Sequence, residues 1–376
     1  MAEPLKNMFD LPFLRQFGVL VHSGWSSFEE ERFVRLVTRD DWDKLELKGR
    51  IRRITESLGA TLPPDFAAAL DVLYRIDEQC VGFPYLFFPD FVEVYGMDHW
   101  ELSMEALERF TSKSSAEFAI RPFLLAQTDR TMERMRQWAE HESEHVRRLA
   151  SEGCRPRLPW ASALGMFKLD PSPILPILEK LKCDDSLYVR KSVANNLNDI
   201  AKDHPDLVRR IASQWSGRHP LTDWIVRRGC RTLLRADDEA TMALLGYDGA
   251  AAAEAISGAR LTPRESSARM GGFSELDYEL QLQIRTPLRL RIELGVDYVK
   301  AGGKISQKRF LVADRAVSAD TRITGMKKLD WKELTTRKHY PGVHKLHLLV
   351  GGRPVATAQI TLVEEDNRTP AEEGAT

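Results

Sequence analysis

The chain has 376 residues, 54 of them basic and 55 acidic, for a formal net charge of -1, with 43% hydrophobic and 29% charged residues. That length sustains two or three domains with a buried core, and the composition excludes a disordered or fibrous chain. A near-zero total argues against a uniformly basic nucleic-acid binder, but a total is not a surface, so the distribution of charge decides.

The opening MAEPLKNMFDLPFLRQFG has neither a continuous apolar core nor a small-residue cleavage site, so it does not read as a secretory leader. From there to about residue 258 the spacing predicts helix after helix. FAAALDVLYRIDEQC (66–80), HWELSMEALERFTSK (99–113), TMERMRQWAEHESEHVRRLASEG (131–153) and PDLVRRIASQWSG (205–217) set apolar residues three and four apart. Within this part HVRRLASEG (145–153), YVRKSVANN (188–196) and IVRRGCRTL (225–233) repeat one pattern. A β-branched residue precedes two basic residues and then small or apolar ones, and Val146, Val189 and Val226 stand 43 and 37 residues apart. EFAIRPFLL (117–125) is a looser copy. A period of about 35–45 residues is that of HEAT-type helix pairs. Such pairs bury their apolar faces only by stacking, which builds an extended concave face.

Beyond Gly272 the period changes. LDYELQLQIR (276–285), LRLRIELGVDYV (288–299), VHKLHLLVGG (343–352) and VATAQITLVEE (355–365) alternate apolar and polar residues and are rich in Val, Ile, Leu, Thr and Tyr. Several such strands over roughly 90 residues fit a small β-sandwich. The expected organisation is an all-α HEAT-like solenoid over 1–258, a linker over 259–272, an immunoglobulin-like sandwich over 273–365 and a disordered tail over 366–376. No stretch approaches the ~20 apolar residues of a membrane span. Four cysteines at least 29 residues apart fit a reducing compartment, so a cytoplasmic, disulfide-free protein is expected.

Local charge changes the first impression. Residues 201–235 carry eight basic residues, Lys202, Arg209, Arg210, Arg218, Arg227, Arg228, Arg231 and Arg235, against Asp203, Asp206 and Asp223. The β-rich 273–363 carries sixteen basic against nine acidic residues, with clusters at 307–309, which includes Lys308 and Arg309, and at 326–328 and 337–339. A concavity lined by such residues, with Arg190 and Lys191 of the second repeat copy, attracts a phosphate backbone. Any one arginine of a VRR motif is equally suited to pair with an acidic residue of the neighbouring repeat.

Three features look unlike packing. SEGCRPRLPW (151–160) starts as a helix end yet holds Arg155, Pro156, Arg157, Pro159 and Trp160, and the prolines break what would be an inner helix. Trp160 is then either a stacking surface for a base or sugar or a core anchor under the turn. NNLND (195–199) puts polar residues inside a repeat helix, where they are expected to face outward, cap or function. Glu117 starts a further inner helix, where the helix dipole alone accounts for an acid. Spacing permits Glu117, Glu152 and Asp199 to converge without requiring it. HESEH (141–145) sets His141 and His145 four apart but lacks a third ligand in a recognised spacing, and there is no phosphate loop, dinucleotide fingerprint or GxSxG. No metal and no cofactor are expected.

The opening AEPLKN, SSAEFAIRPFLL (114–125), SEGCRPRLPWA (151–161) and SLYVRKSVANNLNDIAKDHPDLV (186–208) resemble the AlkC family of bacterial DNA alkylation-repair glycosylases, relatives of the AlkD glycosylases. The β-rich part resembles the immunoglobulin-like domain appended in one branch of that family. The resemblance implies a monofunctional DNA glycosylase acting on double-stranded DNA, excising cationic lesions such as 3-methyladenine and 3-methylcytosine and leaving an abasic site. It implies active-site positions at Glu117, Glu152, Trp160 and Asp199. Arg155 and Arg157 in the same block are expected to touch the DNA backbone or shape the site, with Arg190, Lys191, Arg227, Arg228, Arg231, Lys308 and Arg309 as further DNA contacts. A monomer is expected, since one lesion needs no partner subunit. The competing expectations are a non-catalytic HEAT scaffold and a lesion-binding protein without activity.

Overall fold

The computed structural model describes residues 4–236, 238–333 and 338–364. The chain divides into two compact units, Met1–Cys230 and Arg231–Thr376. The tail expected over 366–376 lies outside the described residues, as does Arg337 of the basic cluster at 337–339. Among the described residues no helix is long and apolar enough to cross a membrane.

The first unit is built from helices. Leu11–Gly24 and Phe66–Ile76 are N-capped by Asp10 and Asp65, whose carboxylates accept from Phe13 N and Ala68 N, and so satisfy amides that the first turn leaves unpaired. Their apolar faces meet an aromatic cluster in which Phe17 lies edge-on to Phe87 at 4.9 Å.

The repeat then appears as three helix pairs. Thr128–Trp138 precedes Glu144–Glu152, Leu175–Leu181 precedes Leu187–Ile200, and Pro205–Trp215 precedes Pro220–Gly229. Leu187–Ile200 packs between Glu144–Glu152 and Pro220–Gly229, and Val146, Val189 and Val226 are all buried there.

The first basic residue of two repeat copies has a structural task. Arg147 Nη1 donates to the carbonyls of His141 and Glu142, and Arg190 Nη1 donates to those of Asp184 and Asp185, the same offsets in both. Each guanidinium fastens the loop that enters its helix. Arg147 also binds Asp184 of the next pair at 2.6 Å. A tryptophan ending the first helix of two pairs does similar work: Trp138 Nε1 donates to Glu108, and Trp215 Nε1 to Glu179.

The second unit starts with short helices at Arg231–Arg235, Glu239–Leu244 and Gly249–Ala255 and continues as eight strands. These are β1 (Ile256–Pro263), β2 (Ser267–Arg269), β3 (Phe273–Leu282), β4 (Leu288–Val299), β5 (Ile305–Val317), β6 (Thr321–Asp330), β7 (Gly342–Val350) and β8 (Arg353–Val363). One sheet runs β1-β3-β6 and the other β2-β8-β7-β4-β5, with β2 parallel to β8 and the other pairs antiparallel. The alternating Leu276, Leu280, Leu290, Ile292, Leu294, Val296, Leu346, Leu348, Ile360 and Leu362 fill the space between the sheets, with Trp331 fully buried among them. This is the sandwich that the alternation predicts.

The expected boundaries need correction. The segment 259–272 is not a linker, because β1 extends through it to Pro263 and pairs with β3, while β2 pairs with β8. Its one proline, Pro263, is tolerated because it ends an edge strand, and Gly271 and Gly272 lie in the turn between β2 and β3. The three helices over 231–255 group with the sandwich and not with the solenoid. Tyr247 there donates to Asp314 on β5 at 2.7 Å, and Ala252 joins the sandwich core.

Candidate active site

The three singled-out carboxylates belong to one chain of alternating charge. Lys202 Nζ donates to Asp199 Oδ1 at 3.0 Å, and Arg155 Nε donates to Asp199 Oδ2 at 2.9 Å. Arg155 Nη1 donates to Glu152 Oε1 at 2.6 Å, and Arg148 Nη2 stands 3.5 Å from the same oxygen. Arg148 Nη1 pairs in turn with Glu117, whose Oε2 also accepts from Ser115 Oγ at 2.8 Å. Arg148 lies over the Tyr188 ring at 4.9 Å. Three carboxylates at such spacing repel one another in a poorly solvated site, and the interposed guanidinium groups offset that repulsion. Burial pulls the Arg155 guanidinium toward neutrality, but Glu152 and Asp199 outweigh it and hold its pKa above the ordinary value.

Local sequence explains how each group arrives. Asp199 sits in the last turn of Leu187–Ile200, which Ser186 caps by accepting from Tyr188 N and Val189 N. Of the roles open to the run 195–199, facing outward is not the one most of it takes. Asn196, Asn198 and Asp199 are buried, and Asn196 Nδ2 donates to the Ser151 carbonyl at 2.8 Å while Ser192 Oγ bonds Ser151 Oγ at 3.0 Å. These polar residues form a seam binding two repeat helices, because a buried carbonyl near a helix end needs a donor. Glu152 ends the helix Glu144–Glu152, and the prolines keep the following stretch irregular, as expected. Glu117 is not within a helix. It lies in the turn before Ile120–Ala126, so the helix dipole is not what placed it.

Arg121, from the middle of the EFAIRPFLL block, holds the irregular loop closed. Its Nη1 donates to the carbonyls of Gly153 (3.0 Å) and Arg155 (2.9 Å), and its Nη2 to that of Ser162 (2.6 Å). Burial pushes its pKa down to about 10. In this loop Trp160 adopts φ +64°, a left-handed conformation that a non-glycine residue takes only when its surroundings enforce it. Lys48, from the helix Leu47–Gly59, donates to the Trp160 carbonyl and lies over the Phe118 ring at 4.3 Å. The Trp160 side chain is 63% exposed, which excludes a core anchor. It borders a cavity of about 110 Å³ lined also by Phe118, Ser115, Lys48, Asp90 and Glu93. Burial raises the pKa of Asp90 and Glu93, partly opposed by Arg52. Ser115 thus joins the aromatic cavity to the Glu117 end of the charge chain.

The expected DNA contacts divide. Arg155 is buried between two carboxylates, so a phosphate contact is the wrong role for it, and it shapes the site instead. Arg190 is likewise committed to two carbonyls, which corrects its placement among phosphate contacts. Arg157 is more open and pairs with Asp203 at 2.7 Å. Lys191 and Arg228 are exposed on successive repeat helices, and Arg227 is partly buried. Arg231, Lys308 and Arg309 belong to the second unit, the latter two on β5. His141 and His145 do not act as a pair. His141 Nδ1 accepts from Ser143 N, His145 meets the Tyr188 ring edge-on, and among the described residues no group of three His, Cys, Asp or Glu side chains is placed to hold a metal. Sequence reasoning missed Arg148, Arg121, Lys48 and the pairing role of Lys202. All but Lys48 lie in or beside the blocks already singled out.

Residues 92–233 match the family described as DNA alkylation repair enzyme, and residues 257–364 match that described as uncharacterised protein YhaZ, C-terminal Ig-like domain. The protein YhaZ of Bacillus subtilis (strain 168) is 43% identical over 348 residues, covering 93% of this chain and 96% of its own. A solved structure of the Pseudomonas fluorescens alkylpurine DNA glycosylase AlkC, bound to DNA containing an abasic site analog, superposes with a TM-score of 0.87 at 36% identity, covering 96% of this chain and all of that one.

Proposed function

The chain belongs to the family of AlkC- and AlkD-like DNA alkylation-repair glycosylases with a C-terminal immunoglobulin-like domain, and from that premise we propose that it is a DNA glycosylase. It hydrolyses the N-glycosidic bond of cationic alkylated bases, 3-methyladenine and 3-methylcytosine, and leaves an abasic site. The observation that carries this is the chain Asp199–Arg155–Glu152–Arg148–Glu117, buried at its first three members, beside an exposed, conformationally constrained Trp160.

A base methylated at such a ring position carries a positive charge, so its bond to the sugar is weakened before the enzyme acts. The need is to stabilise the oxocarbenium character that develops at the anomeric carbon and to hold a water there. Carboxylates fixed in place do both, and in a poorly solvated site they need no reorganisation as the charge develops. Asp199 takes the water-holding and cation-stabilising role. Glu152 and Glu117 extend the negative field toward the base, and Trp160 packs against the deoxyribose or the lesion. Arg155 and Arg148 fix the carboxylates without touching the substrate. Lys191, Arg157, Arg227, Arg228 and, on the second unit, Arg231, Lys308 and Arg309 contribute phosphate contacts. The protein works as a monomer in the cytoplasm, where it meets chromosomal DNA.

The test is to incubate the protein with randomly methylated duplex DNA and separate released bases by chromatography. Wild type is expected to release 3-methyladenine and 3-methylcytosine. Asp199→Asn is expected to slow release about 10²-fold or more, the usual loss when one electrostatic stabiliser is removed, while binding DNA as wild type does. Lesion binding without release leaves a sensor and refutes the glycosylase, and full activity in D199N refutes the role of Asp199.

A further inference from the structure

Both oxygens of the carboxylate placed at the reacting sugar are already occupied. Asp199 Oδ2 accepts from Arg155 Nε at 2.9 Å, Oδ1 accepts from Lys202 Nζ at 3.0 Å, and the side chain is only 2% exposed. Each oxygen keeps a second lone pair, but a positively charged substrate atom approaching so buried a carboxylate meets two like charges unless one of the cations leaves.

The two cations are not equivalent. Arg155 is buried, and its rigid fork is pinned between Asp199 and Glu152. Removing it strands two carboxylates. Lys202 stands just beyond the helix Leu187–Ile200, its side chain is 39% exposed, and among the described residues its ammonium bonds Asp199 alone. Only the lysine end of this pair is open to water, and an ammonium on its four-carbon stem swings readily into solvent.

We infer that Lys202 is a placeholder cation on Asp199, whose ammonium occupies in the free protein the position that the positive charge developing on the sugar takes in the complex. The inference rests on the glycosylase reading. The exchange keeps a cation on each oxygen of a buried carboxylate at every stage, so Asp199 is never left both buried and half-compensated. A neutral ligand offers no charge in exchange and leaves Lys202 where it is. The lysine thus balances the free site while competing with cationic ligands for Asp199.

The experiment compares affinities for two duplexes that differ only at one site. One carries a tetrahydrofuran abasic analogue, which is neutral. The other carries a pyrrolidine analogue, which is cationic at neutral pH. The readout is the ratio of the two affinities, since a phosphate contact made by the same ammonium changes both equally. Lys202→Met removes the competing charge and is expected to raise the preference for the cationic duplex about two- to fivefold, the range of an exposed ion pair. Lys202→Arg, whose fork holds a carboxylate more firmly, is expected to lower it below wild type. A ratio unchanged in K202M, or shifted the same way by both substitutions, overturns the placeholder. Wild-type release of methylated bases, measured in parallel, tests the glycosylase reading separately.

Discussion

Arg155→Met probes the arginine on which two of the three carboxylates depend. The lost guanidinium donates to Glu152 at 2.6 Å and to Asp199 at 2.9 Å, and all three side chains are buried. Deleting one partner of a buried pair costs about 3–5 kcal/mol, because the charge left behind has neither water nor counter-ion. Here each carboxylate keeps a second cation, Arg148 at 3.5 Å from Glu152 and Lys202 at 3.0 Å from Asp199. That residual compensation sets the cost at the low end, about 3 kcal/mol. In a unit of roughly 230 residues, about 1 kcal/mol moves the melting temperature by about 2–4 °C, so a fall of about 6–12 °C is expected. Methionine fills much of the volume of the arginine stem, so the loss measures charge and not a cavity. Arg155→Met combined with Asp199→Asn removes one of the stranded charges, and the pair is expected to be less destabilised than the sum of its single changes by about 1 kcal/mol or more. Thermal unfolding followed by circular dichroism measures all four proteins. An R155M melting within about 1 °C of wild type, or additive single and double changes, would refute the view that Arg155 neutralises this site.

Trp160 gives a second test, because its φ of +64° suits glycine and its side chain is largely exposed. Trp160→Gly is expected to be more stable than Trp160→Ala by about 1 kcal/mol in denaturant unfolding, while both lose excision; equal stability would mean that the backbone is not strained there. The Arg157–Asp203 pair gives a pH dependence. The hydrogen bond from Arg157 lowers the pKa of Asp203, so its contribution is present above the unfolded carboxylate value near 3.9 and is lost as pH falls through the lower folded value. The stability difference between wild type and Asp203→Asn is expected to be under about 1 kcal/mol at pH 7, given the partial exposure of the pair, and to shrink as pH falls below about 4. A difference that grows on acidification would contradict the assignment.

The strands divide in a physically instructive way. Alternation in the sequence marks β3, β4, β7 and β8, and these are the strands with a neighbour on each side. The four without a sequence signal, β1, β2, β5 and β6, are the sheet edges. An interior strand must present one continuous apolar row to the core. An edge strand is half exposed and carries charges, glycine or proline that discourage further pairing, so its period is blurred. Most of β5 is only partly buried or exposed, and the supposed linker at 259–272 was hidden by the same effect.

The repeat was legible for a related reason. Arg147 and Arg190 hold the loops entering their own helices, so each needs the same neighbours five and six residues back and recurs with the helix pair. Their basic character suggested phosphate, and the local hydrogen bonds reassign Arg190 to structure. The polar run at 195–199 was likewise visible but left several roles open, since an asparagine that feeds a carbonyl on another helix looks in sequence like one facing water.

The sequence by itself determined the helical period, the repeat spacing, the interior strands of the sandwich and the presence of Glu117, Glu152, Asp199 and Trp160 in unusual settings. Those features depend on neighbours within a turn or a strand, and such neighbours are fixed by chain order. Only the tertiary structure decided that Arg155 stands between Glu152 and Asp199 and that Arg148 reaches Glu117. Electrostatic pairing depends on distance in space, and it is the stacking of one helix pair on the next that brings residues 117, 152 and 199 within reach of the same two arginines.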